Sequence, residues 1–249
     1  YDISLGLVGS EMCIRDRTGF KSVIGAYGWI VSLCEEIQKR GIKSAPDFIT
    51  IDSADGGTGA APMSLMDNVG LPIWDSLPLV VDILVKYGLK QRIKVIASGK
   101  LINPVDVAWA LCVGADFIVS ARGFMMALGC IQALQCNKNT CPTGITTHDA
   151  RLQRGLDPVD KAERVQHYAL NMIHEVGIIA HSCGVTEPRG VRRYHARVMT
   201  DSGRSMALND LYPDETPDGE QSQSTVSRQI DQKGLSVSSP NSVRRMPLE

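Results

Sequence analysis

The sequence has no apolar run approaching the roughly 18–20 residues that a membrane-spanning helix requires. It also has no block of basic residues, and its formal net charge is −1, so the electrostatic footprint of a nucleic-acid binder is missing. The opening residues lack the basic leader and apolar core of a secretory signal, which makes the cytosol the expected compartment. Seven cysteines spread over 249 residues are too sparse for a secreted disulfide framework. A 43% hydrophobic and 21% charged composition remains, the profile of an ordinary soluble globular chain.

What is present is an alternation of short apolar runs with helical patterns. Phe20–Ile24, Phe48–Ile51, Ile93–Ala97 and Phe117–Val119 read as strands. Between them, Trp29–Arg40, Leu77–Tyr87 and Val105–Val113 carry apolar residues at helical spacing, each followed by a glycine. Asn103 is a good N-cap, and Pro104 suits a first helical position. Lys161–Cys183 reads as one long helix. Strands alternating with helices predict a parallel α/β fold, and strands this apolar are expected to be buried on both faces. A doubly wound sheet and a barrel fit this pattern equally.

Four motifs carry chemistry. Asp55-Gly56-Gly57-Thr58-Gly59 follows the second strand, where glycines let backbone N–H groups approach a cofactor or anion, or simply form a loop. Ser98-Gly99-Lys100 follows the third strand, ahead of a helix. Ser120-Ala121-Arg122-Gly123 follows the fourth. Successive strand-to-helix loops of this kind hold phosphate in many barrels, and helix N-termini favour the anion. The fourth motif is Cys130-x5-Cys136-x4-Cys141-Pro142, whose thiolates suit an iron–sulfur cluster. Buried free cysteines, or a zinc site completed by His148, are the competing explanations.

Other features read as structural. Lys21 lies inside a strand, where a snorkelling side chain is the ordinary expectation. Cys34 and Cys112 fall on helices and are expected to be buried. Trp29, Trp74 and Trp109 are scattered. His167, His174 and His181 recur along one exposed helix face. Arg189, Arg192, Arg193 and Arg197 form a basic run that is expected to be solvated.

Taken together, the segments DFITIDSADGGTGAAP (47–62) and ASGKLINPVDVAWALCVGADFIVSARGFMMALGCIQALQCNKNTCPTGITTHD (97–149) resemble the FMN-binding domain of the glutamate synthase family, most closely its stand-alone members without a glutaminase domain. KAERV (161–165) and HARVMTDSGRS (195–205) extend the likeness. The resemblance implies the C-terminal half of a (β/α)8 barrel, with about four parallel strands over residues 18–212. It implies a 3Fe–4S cluster on Cys130, Cys136 and Cys141, within the loop 130–141. It sets the FMN phosphate near Ser98, Gly99, Lys100, Arg122 and Gly123, and the loop Asp55–Gly59 near flavin and substrate. Lys21 matches a strand lysine facing the flavin and the 2-oxoglutarate site.

The implied reaction is reduction of 2-iminoglutarate, formed from 2-oxoglutarate and ammonia, to glutamate. Electrons would come from ferredoxin or a pyridine-nucleotide-dependent subunit. With no amidotransferase nucleophile at the start, ammonia would be free or delivered by another subunit. Other FMN barrels, such as hydroxy-acid oxidases and nucleotide dehydrogenases, lack the three-cysteine insertion. A non-catalytic fragment is the third reading, since half a barrel leaves open sheet edges. Residues 1–17, through LVGSEMCIRDR (7–17), resemble translated transposase-adapter sequence and are expected to be a non-native leader. Residues 213–249, rich in Ser, Gln, Asp and Pro, are expected to form a disordered tail.

Overall fold

The computed structural model describes residues 17–55, 64–66, 68–200 and 203–213. The expected leader (apart from Arg17), the loop glycines Gly56, Gly57 and Gly59 with Thr58, and the expected tail beyond Pro213 lie outside the described residues.

Four strands form one sheet in the order β1 (Gly19–Val23), β2 (Phe48–Asp52), β3 (Lys94–Ser98), β4 (Phe117–Val119). Every pairing is parallel, with Gly19 opposite Phe48, Phe48 opposite Lys94 and Ile96 opposite Phe117. Between the strands run α1 (Gly28–Arg40), α2 (Ile73–Lys86) and α3 (Pro104–Val113). This is a mixed α/β architecture compatible with part of a barrel.

The alternation of side chains along each strand divides the sheet into two unlike faces. Ile49, Ile51, Val95 and Ala97 are buried in one core with Ile30, Cys34 and Ile37 of α1, Leu77, Val80 and Leu84 of α2, and Val107, Ala110 and Val113 of α3. The opposite face carries Lys21, Val23, Phe117 and Val119, all exposed. The expectation of strands buried on both faces is therefore met on one face only, because the described helices pack on one side. Lys21 lies on the open side.

Helix α2 begins at Ile73, four residues before the expected start at Leu77, which places Pro78 beyond its first turn. Proline has no N–H to give the carbonyl four residues earlier, which is that of Trp74. The hydroxyl of Tyr212 donates to that carbonyl instead, at 3.3 Å. Burial pushes the Tyr212 phenol up to about 12. Trp74 and Trp109, distant in sequence, pack with ring centroids 4.0 Å apart. Helix α3 starts as its sequence dictates: Asn103 Oδ1 accepts the Asp106 amide at 2.9 Å, and Pro104 opens the helix.

After β4 come α4 (Ala121–Ala127), the cysteine loop, α5 (Ala150–Gln153) and the long α6 (Pro158–Ser182). Helix α6 packs against α3 and α4, buries Val176 and Ala180, and leaves all three of its histidines exposed. A two-stranded antiparallel ribbon, β5 (Arg197–Met199) and β6 (Ser205–Ala207), precedes α7 (Leu208–Leu211).

The basic run needs one correction. Arg189, Arg192 and Arg197 are exposed, but Arg193 is only 3% exposed. Its guanidinium pairs with Asp82, donates to the Tyr212 carbonyl at 3.0 Å, and reaches the Val113 carbonyl. It ties the C-terminal segment to α2 and α3. A buried cation requires such partners.

Candidate functional site

The C-terminal ends of the strands open onto a cavity of about 150 Å³. Its walls combine Lys21 and Asp52, Ser98 to Leu101, Val119 to Arg122, and Cys130, Gln132 and Cys136. The sequence motifs after β3 and β4 and two of the three clustered cysteines thus share one space with the strand lysine.

Lys21 is held by an ion pair with Asp52 Oδ2 at 2.9 Å, though its side chain stays 57% exposed. Asp52 Oδ1 accepts the Ser98 hydroxyl at 3.1 Å. One carboxylate at the end of the second strand therefore links the ends of β1, β2 and β3. Asp52 was not singled out from the sequence, because the strand was drawn to end at Ile51. The signal was there: residues 48, 50 and 52 alternate onto one strand face.

Asp55 accepts from Ser53 and from Lys100 Nζ, the latter at 2.9 Å. Asp55 reaches the cavity through Lys100. Gly99 is required by packing, since a Cβ there would collide with Ser53. The helix that follows Lys100 begins at Pro104 with Asn103 as its cap, as the sequence predicts. Gly123 is buried, and a Cβ there would overlap the Tyr168 hydroxyl. The need for glycine at 123 is thus accounted for by Tyr168. Tyr168 was missed in the sequence, as nothing local marks a tyrosine on a long helix as a partner of loops far upstream.

The cysteine loop bends sharply. Gln132, Leu134 and Asn139 all have positive φ (56°, 55° and 58°), a conformation that non-glycine residues adopt rarely. These turns bring polar hydrogens to sulfur. The Gln132 amide donates to Cys130 Sγ at 3.4 Å, and Cys141 Sγ lies 3.3 Å from the Thr143 hydroxyl. Burial pushes the Cys141 thiol up, but hydrogen bonds from Thr143 and Thr146 outweigh it and hold the group at about 6. By contrast, burial pushes Cys34 and Cys112 up to about 11, as expected for structural thiols. All six described cysteines are free.

These residues fit the groups the motifs imply. The hydrogen-bond donors around Cys141 favour its thiolate, the ligand form that iron–sulfur clusters need. Among the described residues, no three His, Cys, Asp or Glu side chains converge on a single-ion site. His148 is exposed, which argues against a zinc site. A cluster spreads its thiolates over separate irons and does not demand such convergence. On the same walls, Lys100 and Arg122 supply cations suited to a phosphate, and Lys21 supplies a third.

Comparison with known proteins identifies the family. Residues 30–186 match the family described as the conserved region in glutamate synthase. The chain is 40% identical over 193 residues to the glutamate synthase large subunit-like protein YerD of Bacillus subtilis (strain 168), covering 78% of this chain and 36% of YerD. It is 34% identical to the archaeal glutamate synthase [NADPH] of Methanocaldococcus jannaschii, over 67% of this chain and 32% of that protein. It is 29% identical to the archaeal-type glutamate synthase [NADPH] of Thermotoga neapolitana, over 72% and 35%. The chain spans about a third of the length of these relatives. It belongs to the glutamate synthase family.

Proposed function

We propose that the protein carrying this chain is an FMN- and iron–sulfur-dependent oxidoreductase that reduces 2-iminoglutarate, formed from 2-oxoglutarate and ammonia, to glutamate. The observation that carries this reading is the shared cavity, which joins Lys21, Lys100 and Arg122 to Cys130 and Cys136. When bound, FMN supplies hydride transfer and the 3Fe–4S cluster one-electron transfer.

The residues have distinct tasks. Ser98, Gly99, Lys100, Arg122 and Gly123 form the phosphate end, with Gly56, Gly57, Thr58, Gly59 and Asp55 covering the flavin and substrate side. Cys130, Cys136 and Cys141 hold the cluster. Lys21 provides positive charge to the substrate carboxylate or to negative charge developing beside it, where a fixed cation is worth most. Asp52 orients that ammonium, and Asp55 orients Lys100.

Residues 18–212 are one partial domain in this reading, their four parallel strands being half of a (β/α)8 barrel, with 130–141 as the cluster insertion. Residues 1–17 are a non-native leader and 213–249 a tail. The isolated chain is not expected to turn over, since it spans about a third of its relatives and one sheet face carries no helices of its own. The names of the archaeal and archaeal-type relatives, which specify NADPH, favour a pyridine-nucleotide-dependent electron supply over ferredoxin. Among the described residues no helix is long and apolar enough to cross a membrane, and we assign the protein to the cytoplasm without a nucleic-acid partner.

The test uses the full-length protein, reduced chemically without oxygen and then mixed with 2-oxoglutarate and ammonia. Reoxidation of the protein with stoichiometric glutamate supports the assignment. Protein that stays reduced with both substrates, yet whose oxidised flavin is reduced by a 2-hydroxy acid or a nucleotide, points to another FMN barrel enzyme.

A further inference from the structure

Tyr168 projects from α6 toward the loops that follow β3 and β4. Its hydroxyl donates to the Ile102 carbonyl at 2.7 Å and lies 2.9 Å from Ser120 Oγ. A phenol has one proton to give. With that proton on Ile102, the Ser120 hydroxyl must donate to the tyrosine oxygen. A directed chain results, from Ser120 through Tyr168 to Ile102.

This chain joins two segments that are separate in sequence. Ile102 lies two residues after Lys100, and Ser120 two residues before Arg122. The aromatic ring is fixed as well. Phe124 meets it edge-on, with centroids 5.0 Å apart and planes at 84°. Gly123 leaves the room that the hydroxyl occupies. Ser120, whose oxygen is engaged here, makes no side-chain cap to its own helix. Tyr168 itself is absent from the cavity wall.

We propose that Tyr168 is a positioning residue that sets the spacing of these two loops, so that Lys100 and Arg122 address one phosphate group. It acts through Ser120 and the Ile102 backbone and touches no ligand. This rests on the reading of the cavity as an FMN site and deepens it, because it names the residue that gives the site its preference for a phosphorylated flavin. Phenylalanine at 168 keeps the ring and its contact with Phe124 but removes both hydrogen bonds. The loops then lose their register while the surfaces available to the flavin ring are unchanged.

The experiment measures the dissociation constants of FMN and of riboflavin for the full-length protein stripped of flavin. Tyr168→Phe, Ser120→Ala and the double variant are compared with the unaltered protein. Tyr168→Phe is expected to weaken FMN binding on the order of tenfold, as two hydrogen bonds are lost, with riboflavin affinity changed by less than about threefold. The double variant is expected to bind FMN no more weakly than Tyr168→Phe alone, since Ser120 acts through the tyrosine. Equal losses for both flavins, or unchanged FMN affinity in a folded Tyr168→Phe protein, overturn the proposal. Should Tyr168→Phe not fold, Ser120→Ala decides alone. It keeps the ring and the bond to Ile102, and unchanged relative affinity for the two flavins then refutes the positioning role. An unaltered protein that binds FMN no better than riboflavin overturns the flavin-site reading itself, and this proposal with it.

Discussion

Lys21 and Asp52 meet at 2.9 Å across neighbouring parallel strands, on the sheet face opposite the described helices α1 to α3. The pair is too exposed to contribute much to folding, because exposed ion pairs are typically worth about 0–1 kcal/mol. In the proposed reaction the pair serves the chemistry instead. Lys21→Met is therefore expected to lower glutamate formation by roughly 100-fold or more, the scale seen when one preorganised electrostatic group is removed. The melting temperature should barely move. Lys21→Arg should recover part of the rate. A Lys21→Met protein with full activity would remove the lysine from the mechanism.

The cysteines divide by environment. Cys130 and Cys136 line the cavity, and Cys141 is held toward its thiolate by threonine hydrogen bonds, whereas Cys183 lies at the end of α6 outside the motif. Cys136→Ser is expected to abolish stable iron binding in anaerobically prepared full-length protein. Cys183→Ser is expected to leave the iron content unchanged. Iron and acid-labile sulfide assays on the two variants check this, and equal iron in both would contradict the cluster assignment.

Arg193 joins α2, α3 and the segment at Tyr212–Pro213 through Asp82 and three backbone carbonyls. Removing one partner from a buried pair leaves the other charge uncompensated. Arg193→Ala is thus expected to cost about 3–5 kcal/mol. Chemical denaturation measures this directly. A loss below about 1 kcal/mol would mean that the carbonyls and Asp82 find other partners.

Asp116 links acid pH to stability. Burial pushes its carboxyl up, but Lys90 at 2.7 Å, the Val95 amide at 2.8 Å and nearby Lys94 outweigh that and hold it below the ordinary range. In acid the unfolded chain takes up this proton first, so stability rises with pH across that interval. The contribution is complete above about pH 4, the ordinary aspartate value. It is lost as pH falls through the lower folded value. Asp116→Asn should flatten this part of the stability–pH curve, and an unchanged slope would show that other carboxylates govern it.

Much of the architecture was legible because local signals agreed with the final packing. Asn103-Pro104 opens α3, and Gly114 closes it, as their chemistry requires. The four strands were found within about a residue of their ends. That small error still concealed Asp52, which sits on the last residue of β2. The other omissions share one physical cause, which is partners far apart in sequence. Arg193 looks like part of a solvated basic run until Asp82 is brought beside it from 111 residues upstream. The first turn of α2 lies outside the expected span Leu77–Tyr87, and the hydroxyl that takes up its Trp74 carbonyl comes from Tyr212, 138 residues away. Tyr168 reaches Ile102 across 66 residues. The β5–β6 ribbon pairs strands of three residues each, too short for an alternation to register.

The central claim is that one site joins a flavin to an iron–sulfur cluster. The most direct test is to purify the full-length protein without oxygen, record its visible spectrum, and assay flavin, iron and sulfide on the same sample. The expected result is one FMN and about three irons per chain. Flavin without iron, or neither cofactor in a well-folded protein, would contradict it.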